Sequence, residues 1–139
     1  MFWFKKRIDE QCKEENCKDN PIDPSNLEFV ENRRGKPPNT KEIGRATWLY
    51  LHTIANQYPI NPTEQDIEEW SKWFNSFTKL YPCKLCRTGI SKVIKNFPPR
   101  LSNRDDFILW VCEFHNLINK DLGIETKPCN IKKLIEMYP

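Results

Sequence analysis

Everything after residue 40 is cut by prolines and caps into segments whose apolar residues recur at helical spacing. In "KEIGRATWLYLHTIANQYP", Trp48, Leu51, His52 and Ala55 share one face until Pro59 ends the run. A second segment opens at Thr63 with Asp66 three residues on, the pattern of a capping box. Its apolar stripe is Ile67, Trp70, Phe74, Phe77 and Tyr81. "KLCRTGISKVIKNF" predicts a third helix with Leu85, Val93 and Ile94 inward, stopped by Pro98 and Pro99. The fourth is expected to start at Ser102, with Asp105 as its box partner, and to run to a C-cap at Gly123. A short fifth piece, "NIKKLIEMY", follows Cys129. No stretch alternates as a strand would. The expected fold class is all-α, a four-helix bundle with a short fifth helix.

Residues 1–40 differ from the rest. "CKDNPIDPSNLEFVENRRGKPPNT" mixes Pro, Asn, Asp and charge with no apolar period. This predicts a flexible N-terminal arm over 1–40 ahead of a folded domain over 41–139.

At 139 residues the chain supports one domain with a tail. Five Trp and eight Phe supply large side chains for its core. The net charge of +3 is mild and its cations are read as interleaved with acids, so no nucleic-acid partner is expected. No run approaches the ~20 apolar residues of a membrane helix, so no membrane insertion is expected. The start, "MFWFKKRIDE", lacks both a signal peptide's apolar segment and the acid-poor look of a transit peptide.

Six cysteines narrow the chemistry. Their spacing suggests Cys12 with Cys17, Cys83 with Cys86, and the isolated Cys112 and Cys129, although spacing alone does not fix connectivity. An even count without a His-rich cluster points to an oxidising compartment or a redox enzyme. In "LYPCKLCRTG", Pro82 suits the opening of a helix, and helix-terminal N–H groups favour a thiolate. A zinc site wants a second tight Cys or His pair, which is missing near this one. A thioredoxin-like site wants a strand before the pair, and the segment before it is amphipathic and helical. A purely structural staple usually joins two separated pairs between two helices. A reactive dithiol is favoured, with the zinc module and the stapled scaffold left as alternatives.

A dithiol that cycles needs an electron sink that side chains do not provide. In "WVCEFHNLINK", Cys112, His115 and Asn119 share a helical face, with Asn116 and Lys120 beside them. So polar a strip on an inward helix is costly to bury without a polar ligand. On the first helix Trp48 and His52 lie four apart, next to Arg45. Aromatic plane, imidazole and guanidinium together suit a ligand with flat rings and phosphates. Each residue alone has a bland reading as core or solvated surface; together they favour a flavin.

"GRATWLYLHTIANQYP", "YPCKLC" and "CEFHNLINKDLG" followed by "KPC" resemble the Erv/ALR flavin-linked sulfhydryl oxidases, over about residues 41–130. The resemblance implies a bundle that holds FAD, typically as a homodimer. It implies that Cys86 is the flavin-proximal thiol and Cys83 the distal one, open to an incoming dithiol. It implies cofactor contacts from Gly44, Arg45, Trp48, His52 and Tyr58, from Cys112, His115, Asn116, Asn119 and Lys120, and from Lys132 or Lys133 in the tail. It also implies a structural Cys112–Cys129 disulfide, worth about 3 kcal/mol by loop entropy. "CKEENC" takes the place of the family's N-terminal CxxC shuttle, with four residues between Cys12 and Cys17 instead of two. The implied activity forms disulfides in protein substrates, passing electrons from the shuttle through Cys83 and Cys86 to FAD. Dioxygen, giving hydrogen peroxide, or cytochrome c would be the acceptor. Partners would be protein dithiols of import or folding. The implied address is the mitochondrial intermembrane space, with secretory and viral members also known. The alternative is a disulfide-stapled helical interaction protein without flavin.

Overall fold

Each helix begins where a short side chain can accept an otherwise unpaired N–H. The computed structural model describes residues 39–139, and among the described residues there are five helices and no strand. They are α1 (Thr40–Gln57), α2 (Glu64–Leu80), α3 (Lys84–Asn96), α4 (Arg104–Asp121) and α5 (Ile131–Met137). The expected arm over 1–40 and its Cys12 and Cys17 lie outside the described residues, apart from Asn39 and Thr40, which already belong to the start of α1.

Asn39 caps α1 in a reciprocal box with Glu42, and Thr63 caps α2 in one with Asp66. The Thr63 N–H and hydroxyl both donate to Asp66 and hold its carboxylate below the usual range. For α4 the expected cap is displaced by one residue. Asn103, not Ser102, accepts the N–H of Asp106, not Asp105, at 2.8 Å. Ser102 instead donates its hydroxyl to the Asp106 carboxylate, so both polar side chains converge there. At the far end of α4, Gly123 takes φ +67°. Its N–H reaches Lys120 O at 3.1 Å, and Ile124 N–H reaches Asn119 O at 2.8 Å, a Schellman closure that only glycine adopts without strain.

α4 is the central element, packed on α1, α3 and α5, while α2 packs on α3. Phe107, Ile108, Trp110, Val111 and Phe114 of α4 are almost wholly buried, joined by Leu51, Ala55, Tyr58, Phe74, Leu101 and Leu134. Two inward expectations fail. Ile67 is partly exposed and Leu85 is 86% exposed. Both sit in the first turn of a helix, where an apolar pattern gives no notice that the neighbouring helices have ended.

Cys112 and Cys129 form a disulfide across 17 residues. Asn116 ties down the same connection: its amide donates to Lys127 O at 2.7 Å and accepts from Lys127 N–H at 2.9 Å. Asn56 donates to the Tyr138 carbonyl, and the Tyr138 ring stacks on His52 at 4.4 Å. Loop, α5 and tail are thus drawn onto α4 and α1.

Candidate active site

Cys83 and Cys86 are joined by a disulfide of 2.03 Å. The bundle places them unequally. Cys83 is the N-cap of α3, and its sulfur accepts the Cys86 N–H at 3.2 Å. Cys86 stands in the first helical turn and contributes to the wall of a cavity of about 860 Å³, whereas Cys83 is not on that wall. The turn carrying them is braced by Arg87, whose guanidinium donates to Lys79 O at the end of α2 at 3.0 Å.

The same cavity takes Gly44, Arg45 and Trp48 from α1, Phe77 from α2 and Tyr81 from its C-cap, and Phe114, His115, Ile118 and Asn119 from α4. Its volume lies within the roughly 300–1,000 Å³ of small-molecule and cofactor sites. Apolar and aromatic surface dominates, with a few polar groups to orient a ligand. Asn119 tests the fit. It is 7% exposed and lines the cavity. Its amide can there both donate to and accept from a bound ligand. The exposed cations Lys41 and Arg45 stand on the wall near the start of α1, where phosphate groups of an elongated ligand are accommodated best. These residues fit a flat-ringed, phosphate-bearing cofactor such as FAD.

An imidazole pair spans the wall, His115 standing on it and His52 behind. Trp48 and His115 stack at 3.9 Å with an 8° tilt, and His115 Nδ1 lies 3.2 Å from His52 Nε2. Such a contact needs one ring to donate and the other to accept, so it cannot survive protonation of both. Burial, the neighbouring imidazole and then Lys127 push His52 down to about 4, while burial and Lys127 push His115 down to about 4. Both rings are therefore neutral at pH 7. In the unfolded chain they protonate near 6.5. Between about 4 and 6.5 the unfolded chain binds more protons, so stability is full above 6.5 and falls as pH drops through that window. Urea unfolding at pH 7.5 and pH 5.0 should show the lower midpoint at pH 5.0, and His52→Asn should flatten that dependence. An equal midpoint at both pH values would contradict the buried neutral pair.

Of the residues expected at the cofactor, Gly44, Arg45, Trp48, His115, Asn119 and Cys86 meet around the cavity, and His52 supports it through His115. Five others lie elsewhere. Tyr58 is fully buried in the core, its hydroxyl donating to Leu101 O at 2.7 Å. The Asn116 amide is occupied by Lys127, and Cys112 is buried with its sulfur bonded to Cys129. Lys120 and Lys132 are solvent-exposed and off the wall. Conversely, Phe77 and Tyr81, expected in the core stripe, help to line the cavity, and Phe114 was not anticipated there. Period-based reasoning cannot separate an aromatic packed on protein from one that awaits a ligand ring.

The structure defines a helical bundle whose Cys83–Cys86 disulfide presents one sulfur-bearing residue, Cys86, to a cavity of cofactor size. The chain belongs to the Erv1 / Alr family, whose model matches residues 45–139. It is 36% identical over 98 residues to the mitochondrial FAD-linked sulfhydryl oxidase ERV1 of Saccharomyces cerevisiae, covering 70% of this chain and 52% of that one. The chain spans about half the length of the curated relatives that it matches first. The crystal structure of the yeast Erv1 core superposes with a TM-score of 0.71 at 32% identity, covering 76% of this chain and 88% of that one. The crystal structure of the FAD binding domain of Saccharomyces cerevisiae Erv1 gives 0.69 at 31% identity, covering 74% of this chain and 100% of that one.

Proposed function

We propose that this chain is an FAD-dependent sulfhydryl oxidase that forms disulfides in protein substrates. The observation that carries this reading is the unequal placement of the two sulfurs, with Cys86 on the cavity wall and Cys83 off it. Trp48, His115, Asn119 and Arg45 would hold FAD, and bound there it supplies the two-electron sink that side chains lack. The protein's own part is thiol–disulfide exchange. An incoming thiolate attacks Cys83, and Cys86 leaves as a thiolate favoured by its place in the first turn of α3. A second substrate thiol then attacks the mixed disulfide, releasing oxidised substrate and leaving Cys83 and Cys86 reduced. Phe77, Tyr81 and Phe114 make the wall that Cys86 joins largely apolar.

The finer features belong to the same proposal. Cys12 and Cys17 of the arm over 1–40 act as a shuttle dithiol between protein substrates and Cys83. Dioxygen, giving hydrogen peroxide, or cytochrome c takes the electrons onward. The domain over 41–139 works as a homodimer in the mitochondrial intermembrane space. No described helix is long and apolar enough to cross a membrane. The test uses the full chain as purified. It should be yellow, oxidise dithiothreitol with one hydrogen peroxide formed per disulfide in air, and keep that activity in Cys12→Ser while losing activity on a protein dithiol. A colourless protein inert towards dithiothreitol would overturn the oxidase reading, and equal losses on both substrates would overturn the shuttle.

A further inference from the structure

The cations are not interleaved with acids throughout. From Trp70 to Arg104 the sequence holds eight Lys and Arg and no Asp or Glu, although the chain as a whole carries only +3. This stretch is the second half of α2, the disulfide turn and all of α3. Lys72 is paired with Glu68 and Arg100 with Glu113, whereas Lys79, Lys84, Lys92 and Lys95 make no ion pair among the described residues. At 100° per residue, Lys84, Ser91, Lys92 and Lys95 fall within about a quarter of the α3 circumference, and all are exposed. They form one cationic stripe that begins at the residue after Cys83. On either side of Cys83 the surface is apolar: Leu80 is 77% exposed, and Leu85, at the edge of the cavity wall, is 86% exposed.

We infer that this face is a docking surface for acidic polypeptide segments that carry a cysteine pair, and that it sets substrate preference. The inference rests on the oxidase reading. A peptide whose cysteines lie among Asp and Glu is drawn to the lysine stripe, and Leu80 and Leu85 cover its apolar side chains at the point of attack. Its first thiolate bonds to Cys83 sulfur as the Cys83–Cys86 bond breaks and Cys86 departs as a thiolate. Its second thiol gives its proton to solvent and displaces Cys83. One disulfide is gained by the peptide, and two electrons pass to the cysteine pair of α3. The fixed positive field serves attraction and also disfavours substrates whose cysteines have basic flanks.

The test compares three peptides sharing one cysteine spacing. One has the sequence of residues 9–17, DEQCKEENC, and the others carry serines or lysines in place of its acids. With the full-length holoprotein at low salt, kcat/KM for the acidic peptide should exceed that for the lysine peptide by about tenfold or more, and the ratio should shrink in high salt. The double variant Lys92→Glu, Lys95→Glu, more than a turn from the disulfide, should reverse the order of the peptides. A merely structural defect would lower all three together. Equal rates for the three peptides, or an unchanged order in the variant, would overturn the inference. If the protein fails to oxidise dithiothreitol, it is the oxidase reading that falls. Anisotropy of the acidic peptide with its cysteines replaced by serine then still decides the surface: tighter binding than the lysine peptide supports it, and equal binding refutes it. A single-stranded oligonucleotide of matched charge that binds as tightly as the acidic peptide would also overturn the assignment.

Discussion

Cys86→Ser should abolish thiol oxidation and leave the protein folded and yellow. Serine occupies nearly the same volume but forms no disulfide with Cys83, so an incoming thiolate finds no bond to break. Retention of the cofactor follows from the rest of the wall, since Trp48, Asn119, His115 and Arg45 are untouched. Retention of the fold follows from the short separation of three residues between the sulfurs, which constrains the unfolded chain little. The measurement is a visible spectrum alongside dithiothreitol oxidation by the same preparation. Normal turnover in this variant would show that electrons pass without Cys86 and would refute the assignment of roles. Loss of the yellow colour would place the sulfur among the groups that hold the ligand, a larger role than the wall geometry gives it.

Trp110→Ala carries the largest expected cost in stability. Trp110 is fully buried, stacks on Phe107 and Phe114 at 6.0 and 5.0 Å, and meets Phe74 edge-on at 5.2 Å. Its indole N–H donates to Phe97 O at 3.3 Å, which fastens the end of α3 to α4. Truncating a buried aromatic side chain costs about 3–5 kcal/mol, against a total stability of about 5–15 kcal/mol for a domain. Urea unfolding should show a much lower midpoint, and Trp110→Phe, which keeps most of the ring surface, should lose less. If alanine were tolerated within about 1 kcal/mol, the aromatic centre would be less tightly packed than the geometry indicates.

The helices were legible because local rules suffice for them. Thr63 and Asp66 form the anticipated box, and Gly123 closes α4 as its position predicted. The α4 start was read one residue early because Ser102 and Asn103 are both competent caps, and only the path of the chain selects between them. The inner faces of α1 and α4 are legible as polar strips too expensive to bury alone, and Trp48, His115 and Asn119 of those strips line the cavity. Tyr58 and Asn116 do not. Their partners, the Leu101 carbonyl and the Lys127 backbone, are 43 and 11 residues away, and no spacing rule announces such a bond. Leu85 failed for the complementary reason: its neighbours in sequence are known, but the absence of anything above it is a property of the assembled bundle.

The two disulfides among the described residues differ in the length of chain that each encloses, 17 residues against 3. Loop entropy assigns the longer link about 3 kcal/mol and the shorter one about half of that. On the proposed oxidase reading, the bond that opens in each cycle is the one that constrains the unfolded chain less, while the longer link fastens the tail. Redox turnover would then draw on the smaller of the two contributions and leave the larger one standing.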